Sequence, residues 1–179
     1  MILLARHGET ASNAERRFQG QGPVGLNDRG REQAAELARA AEGRGIVTLA
    51  CSPLPRALQT AQVVGAHLGL EPQPDPRFME HDTGDWTGRL MADVAREEPE
   101  LWAAYHATDP DFRFPGGESL EEQMERVVDG FVGLTQAGAL PALVVCHRGV
   151  VRAARCHTDR RGLASFMEWD VPNGTLVAL

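Results

Sequence analysis

A guanidinium, an imidazole and a glycine follow directly on a short apolar run in Arg6-His7-Gly8-Glu9-Thr10. Arginine suits a phosphoryl group because its planar fork donates two parallel hydrogen bonds to the oxygens. A neutral histidine beside it can attack phosphorus. The pattern returns twice: Ser52-Pro53-Leu54-Pro55-Arg56 follows the apolar run at 46–51, and His147-Arg148-Gly149 follows the run at 142–146. Two arginines, two histidines and helix N-termini meeting in one place would form a strong dianion pocket, since amide groups and the helix dipole add positive potential. One such segment would be unremarkable, whereas three of three are hard to assign to solvated loops.

The elements that must position these groups are short. The runs at 2–5, 46–51 and 142–146 are too brief for buried helices and continuously apolar, as strands covered on both faces are. Parallel strands bring their carboxyl ends to the same side of a sheet, which is how segments far apart in sequence can converge. Helical patterns alternate with the strands. Asn27 can cap a helix to about residue 44 with Ala34, Leu37, Ala38 and Ala41 inward. A second helix over 55–68 aligns Ala57, Ala61, Val64 and Leu68; a third starts at Ser119, with Glu122 placed for a capping box, and ends before Gly138 and Pro141.

This alternation predicts a three-layer α/β sandwich, a mostly parallel central sheet flanked by helices. The chain reads as one domain over 1–179, closing with a short strand at 174–179. Residues 81–118 break the rhythm with two short helical pieces and an aromatic loop. They read as an insertion over the sheet's edge that forms a partial lid.

Composition narrows the function. The net charge of -7 argues against nucleic-acid binding and requires that an anionic substrate be held by locally concentrated cations. All 18 basic residues are arginine, which excludes P-loop, Schiff-base and pyridoxal-phosphate lysines at once. Cys51 and Cys146 read as small core residues, and three cysteines give no disulfide framework, so a reducing cytoplasm is the expected setting. No basic leader precedes an apolar core at the N-terminus, and no apolar stretch reaches membrane-spanning length, so neither a signal peptide nor a membrane partner is expected. The six histidines show no zinc-ligand spacing.

The chain resembles the histidine phosphatase superfamily, the phosphoglycerate-mutase-like group, along nearly its whole length. The motifs that carry the likeness are Arg6-His7-Gly8-Glu9-Thr10, Ser52-Pro53-Leu54 with Arg56-Ala57-Leu58-Gln59-Thr60-Ala61, Glu80 followed by Gly84, Trp86 and Gly88, Pro115-Gly116-Gly117-Glu118-Ser119, and Asn173-Gly174-Thr175. The resemblance implies that His7 is a nucleophile forming a phosphohistidine, that Arg6, Arg56 and His147 hold the phosphoryl oxygens, and that Asn13 contacts the phosphate. It implies Glu80 as general acid and base, with a pKa raised by the facing dianion, and no metal or cofactor. Gln19 and Gly20 resemble the substrate-contacting loop. Arg113, between two phenylalanines, is a candidate for a substrate carboxylate. Arg148 departs from the family, which has glycine there; it is expected to point outward at the pocket rim.

Hydrolases and mutases of this family share one phosphoenzyme, and water access decides between them. The modest insertion and the chain's short length favour a phosphatase acting on a small phosphomonoester. A cofactor-dependent phosphoglycerate mutase is the alternative, and a non-catalytic phospholigand-binding module a third reading. The sequence leaves room for a homodimer.

Overall fold

The computed structural model describes residues 1–179. Five strands, β1 (Ile2–Arg6), β2 (Thr48–Cys51), β3 (Pro72–Pro74), β4 (Ala142–Cys146) and β5 (Leu176–Ala178), form one sheet in the order β3-β2-β4-β1-β5. All neighbours are parallel except β5, which runs antiparallel to β1. The helices are α1 (Ala11–Ala14), α2 (Asp28–Ala41), α3 (Pro55–Leu68), α4 (Met91–Glu97), α5 (Pro99–Ala107), α6 (Leu120–Gln136) and α7 (Arg148–Thr158).

Side chains alternate across a strand with period two, and the two faces bury different layers. Leu3, Ala5, Leu49, Cys51, Leu143 and Val145 face α2 and α3, meeting Leu37, Ala38, Ala61 and Val64. Leu4, Ala50, Val144 and Cys146 face α6 and α7, meeting Val127, Val150, Val151 and Ala154. The architecture is therefore the three-layer sandwich read from the sequence. The caps are also those expected: Asn27 accepts from the Gly30 N–H, and Ser119 and Glu122 form a reciprocal capping box.

Several details differ. The helix read to about residue 44 stops at Ala41, because Gly43 and Gly45 adopt positive φ, and β2 begins at Thr48 instead of residue 46. β3, made of two prolines and a glutamine, had no apolar signal; as an edge strand it needs hydrogen bonds on one side only. A 3-10 segment, Gly162–Glu168, follows α7 without a sequence cue. The insertion reaches the cleft at the carboxyl ends of the strands, which its His81, Thr83, Met91, Tyr105 and Phe114 line. Its Trp86, Tyr105, Phe112 and Phe114 form an aromatic cluster with Phe18 and pack on Ala153, Cys156 and Phe166, the outward side of α7 and the segment after it. No helix is long and apolar enough to cross a membrane. All three cysteines are free and buried; burial pushes the Cys51 thiol up to about 11, which makes it an inert core group.

Candidate active site

The pairing of β1 with β4 sets Arg6 opposite Cys146, so His7 and His147 each stand one residue beyond the ends of adjacent parallel strands. The His7 N–H donates to the Cys146 carbonyl at 3.0 Å, continuing the ladder by one step. The two rings then meet edge to face with centroids 5.1 Å apart. β2 is the other neighbour of β4, and its next residue, Ser52, brings its hydroxyl within 2.8 Å of His147 Nε2. The three strand ends thus converge because the register requires it.

The tautomer of His7 follows from one contact. Its Nδ1 lies 2.6 Å from the Gly8 carbonyl oxygen, which can only accept, so Nδ1 carries the proton and Nε2 presents a lone pair. Asn173 Nδ2 and the Gly174 N–H both donate to the His7 carbonyl, tying this residue to the chain entering β5. Burial holds the His7 imidazole well below its ordinary pKa, and the Arg56 and Arg6 charges lower it further. Desolvation is the larger cause. His147 is held neutral in the same way, and its Nδ1 is a buried ring nitrogen with no protein partner.

A cleft of about 560 Å³, counting its open mouth, is lined by Arg6, His7, Asn13, Gln19, Gly20, Arg56, Glu80 and Arg148, along with ten further residues. His147 lies directly behind this lining, against His7. Arg6 anchors one guanidinium nitrogen on the Val171 carbonyl at 2.6 Å, and Arg56 anchors two on the carbonyls of Gly22 and Gly20. The Nε of each arginine is buried without a partner. Burial brings both guanidiniums down to about 10, so they stay charged at neutral pH. Asn13 Oδ1 accepts from the Thr10 N–H and Asn173 Nδ2, leaving its own amide hydrogens for the cleft.

Glu80 is fixed from three sides. Gln123 Nε2, the Gly149 N–H and the His81 N–H donate to its carboxylate at 3.2, 3.3 and 3.1 Å. Arg126 clamps the loop beneath, donating to the carbonyls of Arg77, Met79 and Glu80 and pairing with Glu118 at 2.6 Å. Burial alone would raise the Glu80 pKa; the hydrogen bond from His81 and the Arg56 charge outweigh it and hold the carboxyl well below its usual range. This is opposite to the sequence expectation, because that expectation included a phosphate dianion and these are the protein's own groups.

Gly149 is what admits the carboxylate. A β-carbon there would collide with Glu80 Oε1 and come within 2.7 Å of His81 Nδ1. Gly149→Ala is therefore expected to displace Glu80 and lower kcat by about 10²-fold, the scale of a misplacement near 1 Å, with vanadate affinity little altered. Steady-state kinetics with vanadate inhibition tests this, and wild-type kcat in the variant would dissociate position 149 from the acid.

Two expectations need correction. Arg113 is outside the cleft: it is exposed, donates to the Gly117 carbonyl and pairs with Glu122 at 2.5 Å, and the phenylalanines beside it turn inward. Arg148 does not point outward but lines the cleft, half-buried. Gly20 also lines it, yet its carbonyl is committed to Arg56; its φ of +48 and the crowding by Thr83 and Thr87 leave no room for a side chain. Gln19 lines the cleft with Oε1 held by the Thr10 hydroxyl. Gln123, Arg126, Arg152 and Tyr105 had no motif to mark them. A buried glutamine on the inner face of α6 was the one visible irregularity.

With this geometry in place, the family model of the histidine phosphatase superfamily (branch 1) matches residues 2–179. The chain belongs to the histidine phosphatase superfamily. Among curated relatives, phosphoglycerate mutase-like protein 4 of Arabidopsis thaliana is 37% identical over 157 residues, 85% of this chain and 68% of that protein. The Cronobacter sakazakii protein GpmB, a phosphoglycerate mutase by name, is 39% identical over 127 residues, 70% of this chain; the chain thus spans only 59% of that relative's length. Among solved structures, a mycobacterial glucosyl-3-phosphoglycerate phosphatase complexed with VO3 superposes with a TM-score of 0.87 at 28% identity, covering 98% of this chain and 90% of its own. The alpha-ribazole phosphatase of Shigella flexneri gives 0.86 at 27% identity, covering 98% and 87%. The motif residues Arg6, His7, Ser52 and His147 stand together at the carboxyl edge of the sheet. No three histidine, cysteine or carboxylate side chains are grouped to hold a metal ion.

Proposed function

We propose that the protein is a phosphomonoester hydrolase that works through a phosphohistidine on His7 with Glu80 as general acid and base. His7 Nε2 attacks phosphorus, and the N–P bond forms as the bond to the ester oxygen breaks. The Glu80 carboxyl gives its proton to that oxygen. Water then attacks the phosphohistidine, Glu80 takes its proton, and phosphate leaves as the N–P bond breaks. Arg6, Arg56, Asn13 and His147 hold the equatorial oxygens and oppose the charge that develops there.

The observation that carries this reading is the pairing, in one arginine-lined cleft, of an imidazole with its free lone pair on Nε2 and a carboxylate held by three donors. Hydrolysis is favoured over mutase chemistry because the Glu80 side chain keeps 19% of its surface exposed, so the group that must activate water can reach it. The phosphatases with which the fold superposes support the same choice, and the names of the curated relatives support the mutase alternative.

Incubation with 3-phosphoglycerate separates the two. Free phosphate is expected to appear faster than 2-phosphoglycerate, by about tenfold or more if water captures the phosphoenzyme first. Isomer forming faster than phosphate would make the protein a mutase. Binding without either product would make it a phospholigand-binding module.

A further inference from the structure

The cleft carries more positive charge than one phosphate requires. Its lining holds five arginines, Arg6, Arg17, Arg56, Arg148 and Arg152, and a single carboxylate, Glu80. Arg17 is answered at the mouth by Glu15 at 2.6 Å. Four arginines then face one carboxylate, and a phosphate dianion leaves at least one positive charge unmatched. In a protein of net charge -7 this concentration is local and specific.

The unmatched charge has an address. Arg6 and Arg56 are anchored on backbone carbonyls around His7, and Arg152 donates its Nε to the Trp169 carbonyl at 2.9 Å and stacks over Phe166. Arg148 alone among the five makes no side-chain hydrogen bond or ion pair, although it is half-buried. Four residues apart on α7, Arg148 and Arg152 share one helix face. Tyr105 lines the same cleft, and its hydroxyl makes no hydrogen bond within the protein. Two like charges held together this way repel each other: Arg148 is the largest charge acting against Arg152, and likewise against Arg6. An anion between them would relieve that repulsion, and the guanidinium fork suits a carboxylate or a phosphate.

We infer that Arg148, with Arg152 and the Tyr105 hydroxyl, forms a second anion subsite, so that the preferred substrate is a phosphomonoester bearing a further carboxylate or phosphate group. This rests on the reading that Arg6 and Arg56 take the reacting phosphate. The glycine usual at this position in the family could not contribute such a contact, so the preference belongs to this chain.

The test uses two matched pairs. 3-Phosphoglycerate and glycerol 3-phosphate differ by a carboxylate in place of a hydroxymethyl group; propane-1,3-diol bisphosphate and its monophosphate differ by one phosphate. The ratio of kcat/KM within at least one pair is expected to favour the member with the second anionic group by about tenfold or more, the scale of one charge-assisted hydrogen bond. It should fall towards one in Arg148→Gly and be largely kept in Arg148→Lys. The pair showing the effect identifies the group bound.

No preference in either pair, while p-nitrophenyl phosphate and both esters with a single anionic group are hydrolysed, would remove the subsite and leave the hydrolase intact. Proportional losses on both members of a pair in Arg148→Gly would place Arg148 on the reacting phosphate instead. If no ester is hydrolysed, calorimetric binding of the same pairs reads the subsite by itself: an Arg148-dependent preference keeps it and overturns only the hydrolase.

Discussion

Alanine at position 7 should abolish phosphomonoester hydrolysis, with kcat falling on the order of 10⁴-fold or more, as when a nucleophile is deleted from a catalytic unit. The arginines would remain, so vanadate should still bind. The two readouts must separate: turnover depends on the Nε2 lone pair, whereas anion binding depends on Arg6 and Arg56. Quenching wild-type enzyme with labelled substrate in alkali should trap an acid-labile phosphoprotein, and His7→Ala should trap none. Label of wild-type intensity on the variant would assign the nucleophile elsewhere.

The same variant reports on the buried imidazole. His7 is neutral and buried, with its pKa well below the unfolded value near 6.5, and His147 is in the same condition. Above that value neither state binds the proton. As pH falls below it, the unfolded chain takes protons that the folded chain refuses, so unfolding becomes easier by about 1.4 kcal/mol per pH unit for each histidine. Denaturant unfolding of the wild type between pH 6.5 and 5 should therefore steepen towards two protons, and His7→Ala should lose about half of that slope. An unchanged slope would mean that the imidazole protonates freely in the fold.

How much of this was legible in the sequence follows from where each residue sits. The strand ends could be read because β1, β2 and β4 are buried on both faces, which forces short continuous apolar runs and makes the polar residue after each one conspicuous. Helix caps were equally plain, since Asn27 and Ser119 act within a few residues of themselves. What the sequence hid is contact between distant segments. Arg126 reads as an exposed helical arginine, yet it ties down the Glu80 loop 46 residues away in sequence. Arg113 and Arg148 were exchanged in effect: flanking phenylalanines suggested an arginine at the cleft, but they are buried in the aromatic cluster and turn Arg113 to solvent. Arg148 opens α7 immediately after His147, and that position directs it into the cleft.

Glutamine at position 80 should give a result that depends on the leaving group. Gln keeps the size of the side chain and can still meet the Gly149 N–H through its oxygen, so the pocket should survive and vanadate should bind. An alkoxide leaves poorly without a proton, and general acid catalysis contributes roughly 10²–10⁴-fold, so hydrolysis of an alkyl phosphate should fall by about that factor. p-Nitrophenolate leaves unaided. With that ester the first step should remain fast while the second, which needs Glu80 as a base for water, becomes slow. The expected signature is a burst of nitrophenolate equal to the enzyme present, followed by a slow steady rate and accumulation of phosphorylated His7. The pH profile carries the same information. Glu80 is held ionised by the His81 hydrogen bond and the Arg56 charge, and a bound dianion opposes their effect, so its pKa should rise as substrate enters and equip it to donate. The basic limb of kcat, set by Glu80 as the proton donor, should therefore lie at higher pH than that of kcat/KM in the wild type and vanish in Glu80→Gln. Equal losses on both esters without a burst would mean that Glu80 only shapes the pocket, and that another group moves the proton.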